Sequence, residues 1–381
     1  MSRLSKFAAP NTLIATLADE ALSAADLMER LDCSQPTLSR IVRNAGTAVA
    51  TLGRAQQTRY ARVRNAGVEQ PLNITRIDAT GTPISCGTLH TIGGISGGRT
   101  AHVAERRVTI YVGLPWFVQD MRPQGFIGRQ FPQRVPQLQL PSSVANWSDN
   151  HVLQALSIAG FDEPGDLILG RAPLDQFLAH PAPSAITTRR KATVYAQLAS
   201  ENVGERLNPS SAGGEQTKFT TYADTPNGAA HVIVKFSPQG SNTIAQRWRD
   251  LLRAEHHALS VINDSRASTG LEAAQTQIID ADRLYLEVQR FDRVGARGRL
   301  GVVSLGAIDD EFVGLRGEWI QTAHTLQQLR MLKAGDVNKI ALLQAFGKLI
   351  HNSDMHFGNC ALRHENLDAQ RLTLADRKSV V

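Results

Sequence analysis

A lysine inside an apolar strand, a glutamate midway along the next helix, and an aspartate five residues before an asparagine in a later loop occur in that order in this chain. Residues so far apart in sequence share one chemistry only if the fold brings them together. The segment HNSDMHFGN, residues 351–359, follows an amphipathic helix expected over residues 337–350. Phosphoryl transfer needs a carboxylate to orient and accept a hydroxyl proton, and an amide oxygen to hold magnesium nearby. Asp354 and Asn359 supply both groups. His356 stands between them, placed to brace the loop by hydrogen bonding; as a metal ligand it lacks visible partners.

The upstream parts fit the same chemistry. SSAGGEQTK, residues 210–218, is built of small residues whose N–H groups can approach anionic oxygens, although a surface turn has the same composition. HVIVKF, residues 231–236, reads as an apolar strand holding Lys235, which could contact phosphates or simply snorkel to solvent. A helix expected over residues 244–262 carries Glu255 at its middle, either a partner for that lysine or an ordinary surface acid. LYLEVQRFD, residues 284–292, reads as a strand leaving the small lobe, where backbone groups of Gln289, Arg290 and Phe291 would meet adenine. No side chain distinguishes such a hinge from another core strand.

At 381 residues, with 42% hydrophobic and 20% charged residues, the chain has room for two or three domains. No run of about 18 apolar residues offers a membrane span, and with no apolar stretch behind a basic start at the N-terminus a secretory signal is not expected. Cys33, Cys86 and Cys360 are scattered, which favours reduced thiols in a cytoplasmic protein.

The formal charge of +6 is concentrated: residues 36–68 hold six arginines and no acid. Such a stretch suits a polyanion or forms a solvated basic face. Residues 11–68 read as a winged helix-turn-helix: a short helix over residues 12–18, a second capped by Ser23, the turn Asp32-Cys33-Ser34, and a third over residues 35–44 with Pro36 in its first turn. Leu38, Ile41 and Val42 face inward. Thr37, Ser39, Arg40 and Arg43 point outward as a major-groove helix requires, and Arg59 and Arg62 lie on a strand whose arginines reach phosphates. A protein–protein module would look similar. Strands are expected at residues 73–77 and 108–112, a tight packed loop at residues 116–129, and a linker at residues 181–184.

These residues together resemble the HipA family of bacterial toxin kinases. HNSDMHFGN is similar to that family's catalytic loop, SSAGGEQTK to its phosphate loop, VIVKFSP to its lysine strand and VQRFDR to its hinge. The basic N-terminal domain points to the YjjJ-type branch. The resemblance implies a serine/threonine protein kinase using ATP and Mg2+. Asp354 would be the proton acceptor, Asn359 a magnesium ligand and Lys235 the phosphate lysine, partnered by Glu255. Ala212, Gly213, Gly214, Glu215, Gln216 and Thr217 would lie over the nucleotide, with His356 and the hinge residues completing its site. Ser210 would be autophosphorylated, with Ser211 adjacent.

The family carries a second metal-binding aspartate after a following strand, then further helices. Here the strand at residues 371–374 is followed by DRKSVV, residues 376–381. Those residues can be encoded by GATCGGAAGAGCGTCGTG, the start of a common sequencing-library adapter. The expectation is therefore that Asp376 is foreign sequence, the large lobe incomplete and the chain weakly active or inactive. The expected architecture is α+β: a winged helix-turn-helix over residues 1–70, a mixed α/β subdomain over residues 71–185, and a two-lobed kinase-like domain over residues 186–381. Partners would be DNA and a protein substrate. The rivals are a DNA-binding regulator with an inactive nucleotide-sensing domain and a small-molecule phosphotransferase.

Overall fold

The structure is a computed structural model that describes residues 10–93, 98–105, 107–203 and 216–375. Its N-terminal part holds helices Pro10–Thr16, Ala24–Arg30 and Gln35–Ala45, with strands Leu22–Ser23, Val49–Leu52 and Arg59–Arg62 in one antiparallel sheet. The second helix starts where expected. Ser23 Oγ accepts the Asp26 N–H at 3.1 Å and Asp26 Oδ2 accepts the Ser23 N–H at 3.0 Å, satisfying two donors that a helix start leaves open. The first helix begins earlier than expected, with Pro10 at its first position, where the missing N–H costs nothing. Leu13, Leu17, Leu27, Leu38 and Ile41 form the local core.

This part does not hang on a loose tether. Val63 bridges Ile92 of the middle region, the Gly93 N–H donates to Arg62 O at 3.1 Å, and the Arg64 N–H to Thr91 O at 2.9 Å. Ala50, Leu52 and Ala61 share an apolar cluster with Ile92 and Ala101.

The middle region is a five-stranded antiparallel sheet in the order Arg107–Val112, Arg99–Ala104, Pro83–Ile92, Leu72–Ile77, Leu167–Leu169. The aromatic segment expected as a loop contains two short helices, Trp116–Gln119 and Gly125–Gly128. Its packing explains its composition. Trp116 is buried against Phe117, Phe312 and His364, with the His364 ring at 5.2 Å. One core therefore runs from Leu72, Ile74 and Leu89 through Trp116 to Leu305, Phe357 and Leu362.

Residues 218–289 build a four-stranded antiparallel sheet in the order Thr276–Asp280, Leu284–Gln289, Gly228–Phe236, Lys218–Thr225. Helix Thr243–Asp264 covers one face, Leu252 packing on Leu284, Leu286 and Val288. Helix Lys191–Val203 covers the other through Tyr195 and Ala199. Lys191 is buried there and donates to Glu287 Oε2 at 2.7 Å, while Tyr195 Oη donates to Glu287 Oε1. The remaining lobe comprises strand Val302–Ser304, helices Leu305–Phe312, Trp319–Gln328 and Ala334–Leu349, and strands Ala361–His364 and Leu372–Leu374. Among the described residues no helix is long and apolar enough to cross a membrane.

A buried polar cluster joins the middle region to the link between the lobes. Asp292 accepts from Arg290 at 2.8 Å, Arg293 at 2.7 Å and the Gly165 N–H at 3.1 Å. Burial alone would raise the Asp292 carboxyl, but the Arg290 and Arg293 guanidiniums hold it well below the carboxylate range. On the far side of the same loop, Arg76 Nε lies 2.7 Å from Asp166 Oδ2 and its Nη2 is 3.3 Å from His364 Nδ1. Burial, with the Arg76 cation, pushes His364 down to about 3, so the ring is neutral and its Nδ1 is free to accept.

Glu163 behaves oppositely to Asp292. Burial pushes its carboxyl up to about 7, and Arg134 at 3.8 Å only partly offsets this. A folded pKa above the unfolded one gives stability that is present below about pH 4.5 and lost as pH rises through about 7. Between about pH 5 and about pH 8 this residue should cost about 2 kcal/mol. Urea unfolding of Glu163→Gln should show that slope flattened; an unchanged slope would mean the carboxyl is ionised throughout.

Candidate phosphotransfer site

The lysine strand has a two-residue period, which puts Val232, Val234 and Phe236 into the core shared with Tyr195 and turns Lys235 to the opposite face. There Lys235 Nζ donates to Glu255 Oε1 at 2.5 Å, with side-chain exposures of 16% and 8%. At that burial each charge depends on the other. Gln216 and Thr217 tie the end of the glycine-rich segment to this strand: Gln216 Nε2 and Thr217 Oγ1 donate to Phe236 O at 3.0 and 2.9 Å. Ser210, Ser211, Ala212, Gly213, Gly214 and Glu215 lie outside the described residues, as does Asp376.

At the hinge the structure narrows the expectation. The Gln289 N–H donates to Gln275 O at 2.9 Å and the Arg290 N–H to His231 O at 2.8 Å, so both donors are used within the small lobe. The Arg290 side chain is committed to Asp292 in the buried cluster. Of the three expected N–H groups, that of Phe291 alone has no backbone partner among the described residues.

The 351–359 loop is built by local bonds. Helix Ala334–Leu349 ends with His351 in the left-handed region at φ 57° and the Asn352 N–H on Gly347 O at 2.9 Å. The Asp354 N–H donates to Asn352 Oδ1 at 2.8 Å. His356 Nδ1 accepts the Gly358 N–H at 3.1 Å, capping a short turn over Phe357–Asn359. Asn359 Nδ2 donates to Asp354 O at 2.7 Å and to Oδ2 at 3.1 Å. Because both of those partners are acceptors, the amide orientation follows: Asn359 Oδ1 faces away from Asp354. His356 is likewise assigned. Its Nδ1 accepts, so Nε2 carries the proton and faces Asp354 Oδ1 at 3.6 Å.

Asn359 Oδ1, turned away from Asp354, is a hard oxygen donor of the kind magnesium takes. Among the described residues no group of three His, Cys, Asp or Glu side chains gathers as a metal cage. Magnesium commonly takes one or two protein oxygens and completes its shell with water and substrate phosphate. Strand pairing continues past Leu374, the Ala375 N–H donating to Ala361 O at 2.9 Å, two residues beyond Asn359.

Among the basic N-terminal residues, Ser39, Arg40 and Arg43 are exposed on helix Gln35–Ala45. Thr37 is partly covered, its Oγ1 3.1 Å from Ser34 Oγ. Arg59 is exposed near Asp26 at 3.7 Å and Arg62 is half-buried. Arg64 departs from the expected basic face: it turns inward to hydrogen-bond Asn150, and burial lowers its pKa.

The sequence also carries residues whose importance it does not announce. Lys191, Tyr195 and Glu287 form a second buried ionic group behind the small-lobe sheet, and Asp309 and Arg316 organise a loop beside Phe357. Neither set has a motif spacing.

Comparison with known proteins fits this geometry. A family described as YjjJ-like toxin, middle domain, matches residues 68–178, and one described as HipA-like C-terminal domain matches residues 210–376. A chain of the Shewanella oneidensis MR-1 toxin–antitoxin complex of HipA, HipB and operator DNA superposes with a TM-score of 0.53 over 81% of this chain and 76% of that one. At 13% identity that is a likeness of fold. The mixed α+β architecture is thus HipA-like. Toxin YjjJ of Escherichia coli (strain K12) is 36% identical over 341 residues, 88% of this chain and 75% of that protein. The chain belongs to the HipA family of toxins, among its YjjJ-like members.

Removing one partner of the Lys235–Glu255 pair leaves a largely buried charge uncompensated. Glu255→Ala should therefore lose about 2 kcal/mol in urea unfolding, while Lys235→Met with Glu255→Gln together should recover most of it. A loss below about 0.5 kcal/mol for the single variant would show that Lys235 finds water or another partner.

Proposed function

We propose that this protein is an ATP-dependent serine/threonine protein kinase of the HipA toxin type, acting in the cytoplasm, with an N-terminal winged helix-turn-helix that binds DNA. The Asp354–Asn359 contact carries the reading, since it places the carboxylate and amide of a phosphotransfer loop against each other.

On this reading Asp354 orients the acceptor hydroxyl and takes its proton, while His356 braces the turn that follows by accepting the Gly358 N–H. Asn359 Oδ1 would hold magnesium, whose charge offsets that of the transferring phosphoryl group. Lys235, held by Glu255, meets the α/β-phosphates, and the Phe291 N–H donates to the adenine ring. Gln216 and Thr217 anchor the phosphate loop to the lysine strand. With radiolabelled ATP and magnesium, the wild-type chain should label protein, and Asp354→Asn should lower the rate by roughly a hundredfold or more. Label found in a metabolite would assign a small-molecule phosphotransferase. No label at all from wild type would leave a nucleotide-sensing regulator.

DNA binding is supported by the exposed Ser39, Arg40 and Arg43 on one helix and by Arg59 on the adjoining strand. Affinity should fall steeply with salt, and Arg40→Ala or Arg43→Ala should each reduce the salt slope by about 1 in fluorescence anisotropy titrations. Salt-insensitive binding would leave this face without a nucleic-acid role.

A further inference from the structure

We propose that Arg316 is a positioning residue for the phosphotransfer loop, holding Phe357 and through it the spacing of Asp354 and Asn359. The inference rests on the kinase reading for its consequence, but its structural basis is separate.

Three observations converge on Arg316. Its guanidinium lies over the Phe357 ring, 5.7 Å from the centroid, within the range of a cation–π contact. Phe357 is the buried residue of the loop, three positions after Asp354 and two before Asn359. At Gly306, a Cβ would meet Arg316 Nη1 at 3.3 Å and Phe357 Cβ at 3.4 Å, so a glycine lets both side chains close on one point. That glycine opens helix Leu305–Phe312, whose Leu305 N–H donates to Cys360 O at 2.7 Å. The chain around the loop is thus held at two points, at Cys360 by the helix backbone and at Phe357 by Arg316 from the turn that follows that helix.

The arginine is itself held with unusual care. Asp309, fully buried, accepts the Arg316 N–H at 3.0 Å and the Thr322 hydroxyl at 2.5 Å, and its carbonyl accepts the Val313 and Gly314 N–H groups. Arg316 adopts φ 46°, a left-handed conformation that a non-glycine residue keeps only where its surroundings fix it. Asp310 takes the guanidinium in a two-point grip, with Nε to Oδ1 at 2.7 Å and Nη2 to Oδ2. This pair is about half exposed, and exposed pairs add little stability. Its consequence is direction: the planar fork is aimed across Phe357.

The test pairs kinetics with amide exchange. Arg316→Ala should lower kcat by about tenfold to a hundredfold, with the KM values for ATP and protein substrate within about twofold of wild type. Amides of residues 354–359 should exchange faster, while those of residues 232–236 keep their protection. Arg316→Lys, which retains the charge but not the fork, should recover only part of the kcat. An unchanged kcat overturns the inference. So does a loss confined to KM for the protein substrate, which would make Arg316 a docking residue. A uniform rise in exchange across the chain, showing general unfolding, overturns it too. If wild type transfers no phosphate, the kinase reading fails, yet the exchange measurement still decides whether Arg316 holds the loop.

Discussion

Asp292 sits out of water between two arginines, and the arrangement of the whole molecule depends on it. A buried carboxylate without partners is costly to keep ionised. Here Arg290, Arg293 and the Gly165 amide supply the compensation, and each comes from a different structural obligation. Arg290 follows the strand Leu284–Gln289 directly, Arg293 opens a two-residue strand paired with Gly298–Arg299, and Gly165 belongs to the middle region. Arg293 also reaches Asp162 and the Gly165 and Glu163 carbonyls. The link between the lobes is therefore fixed by the middle region as well as by its own backbone.

That arrangement explains why the middle region cannot be regarded as a spectator. Its Trp116 packs on Phe312 and His364, its Asp120 accepts the Ser304 N–H and hydroxyl, and its Arg76 reaches His364 and the Glu365 carbonyl. Ser304 precedes the helix that grips Cys360, and His364 ends the strand that leaves Cys360. The elements on either side of Cys360 are thus held by residues of the middle region.

Much of the site is legible in the sequence because it obeys local rules. A two-residue period places Lys235 opposite Val232, Val234 and Phe236, and a helical period brings Glu255 to the covered face of its helix. Asp354 and Asn359 are five apart in a loop that Asn352 and His356 shape through their own backbone neighbours. The Ser23 cap and the inward Leu38 and Ile41 are equally local. What is not legible is whatever depends on a distant partner. Arg290 reads as a hinge residue, but its side chain is claimed by Asp292 within a cluster completed by residues 162–165. Arg64 reads as one more surface arginine, and Asn150 draws it inside. Lys191 gives no sign of its burial because Glu287 lies 96 positions later. Helix bounds drift for the same reason, packing rather than propensity deciding where a terminal turn stops.

The junction between the N-terminal sheet and the middle sheet has a mechanical consequence. Val63 pairs with Ile92, and Leu52 and Ala61 share an apolar cluster with Ala101, so no swivel separates the two parts. The exposed face of helix Gln35–Ala45 is therefore held at a set bearing relative to the middle sheet. Flexible tethers let joined modules search a volume; a welded joint lets them address only one direction. Here the direction is set by the paired strands and the shared apolar cluster rather than by the length of a linker.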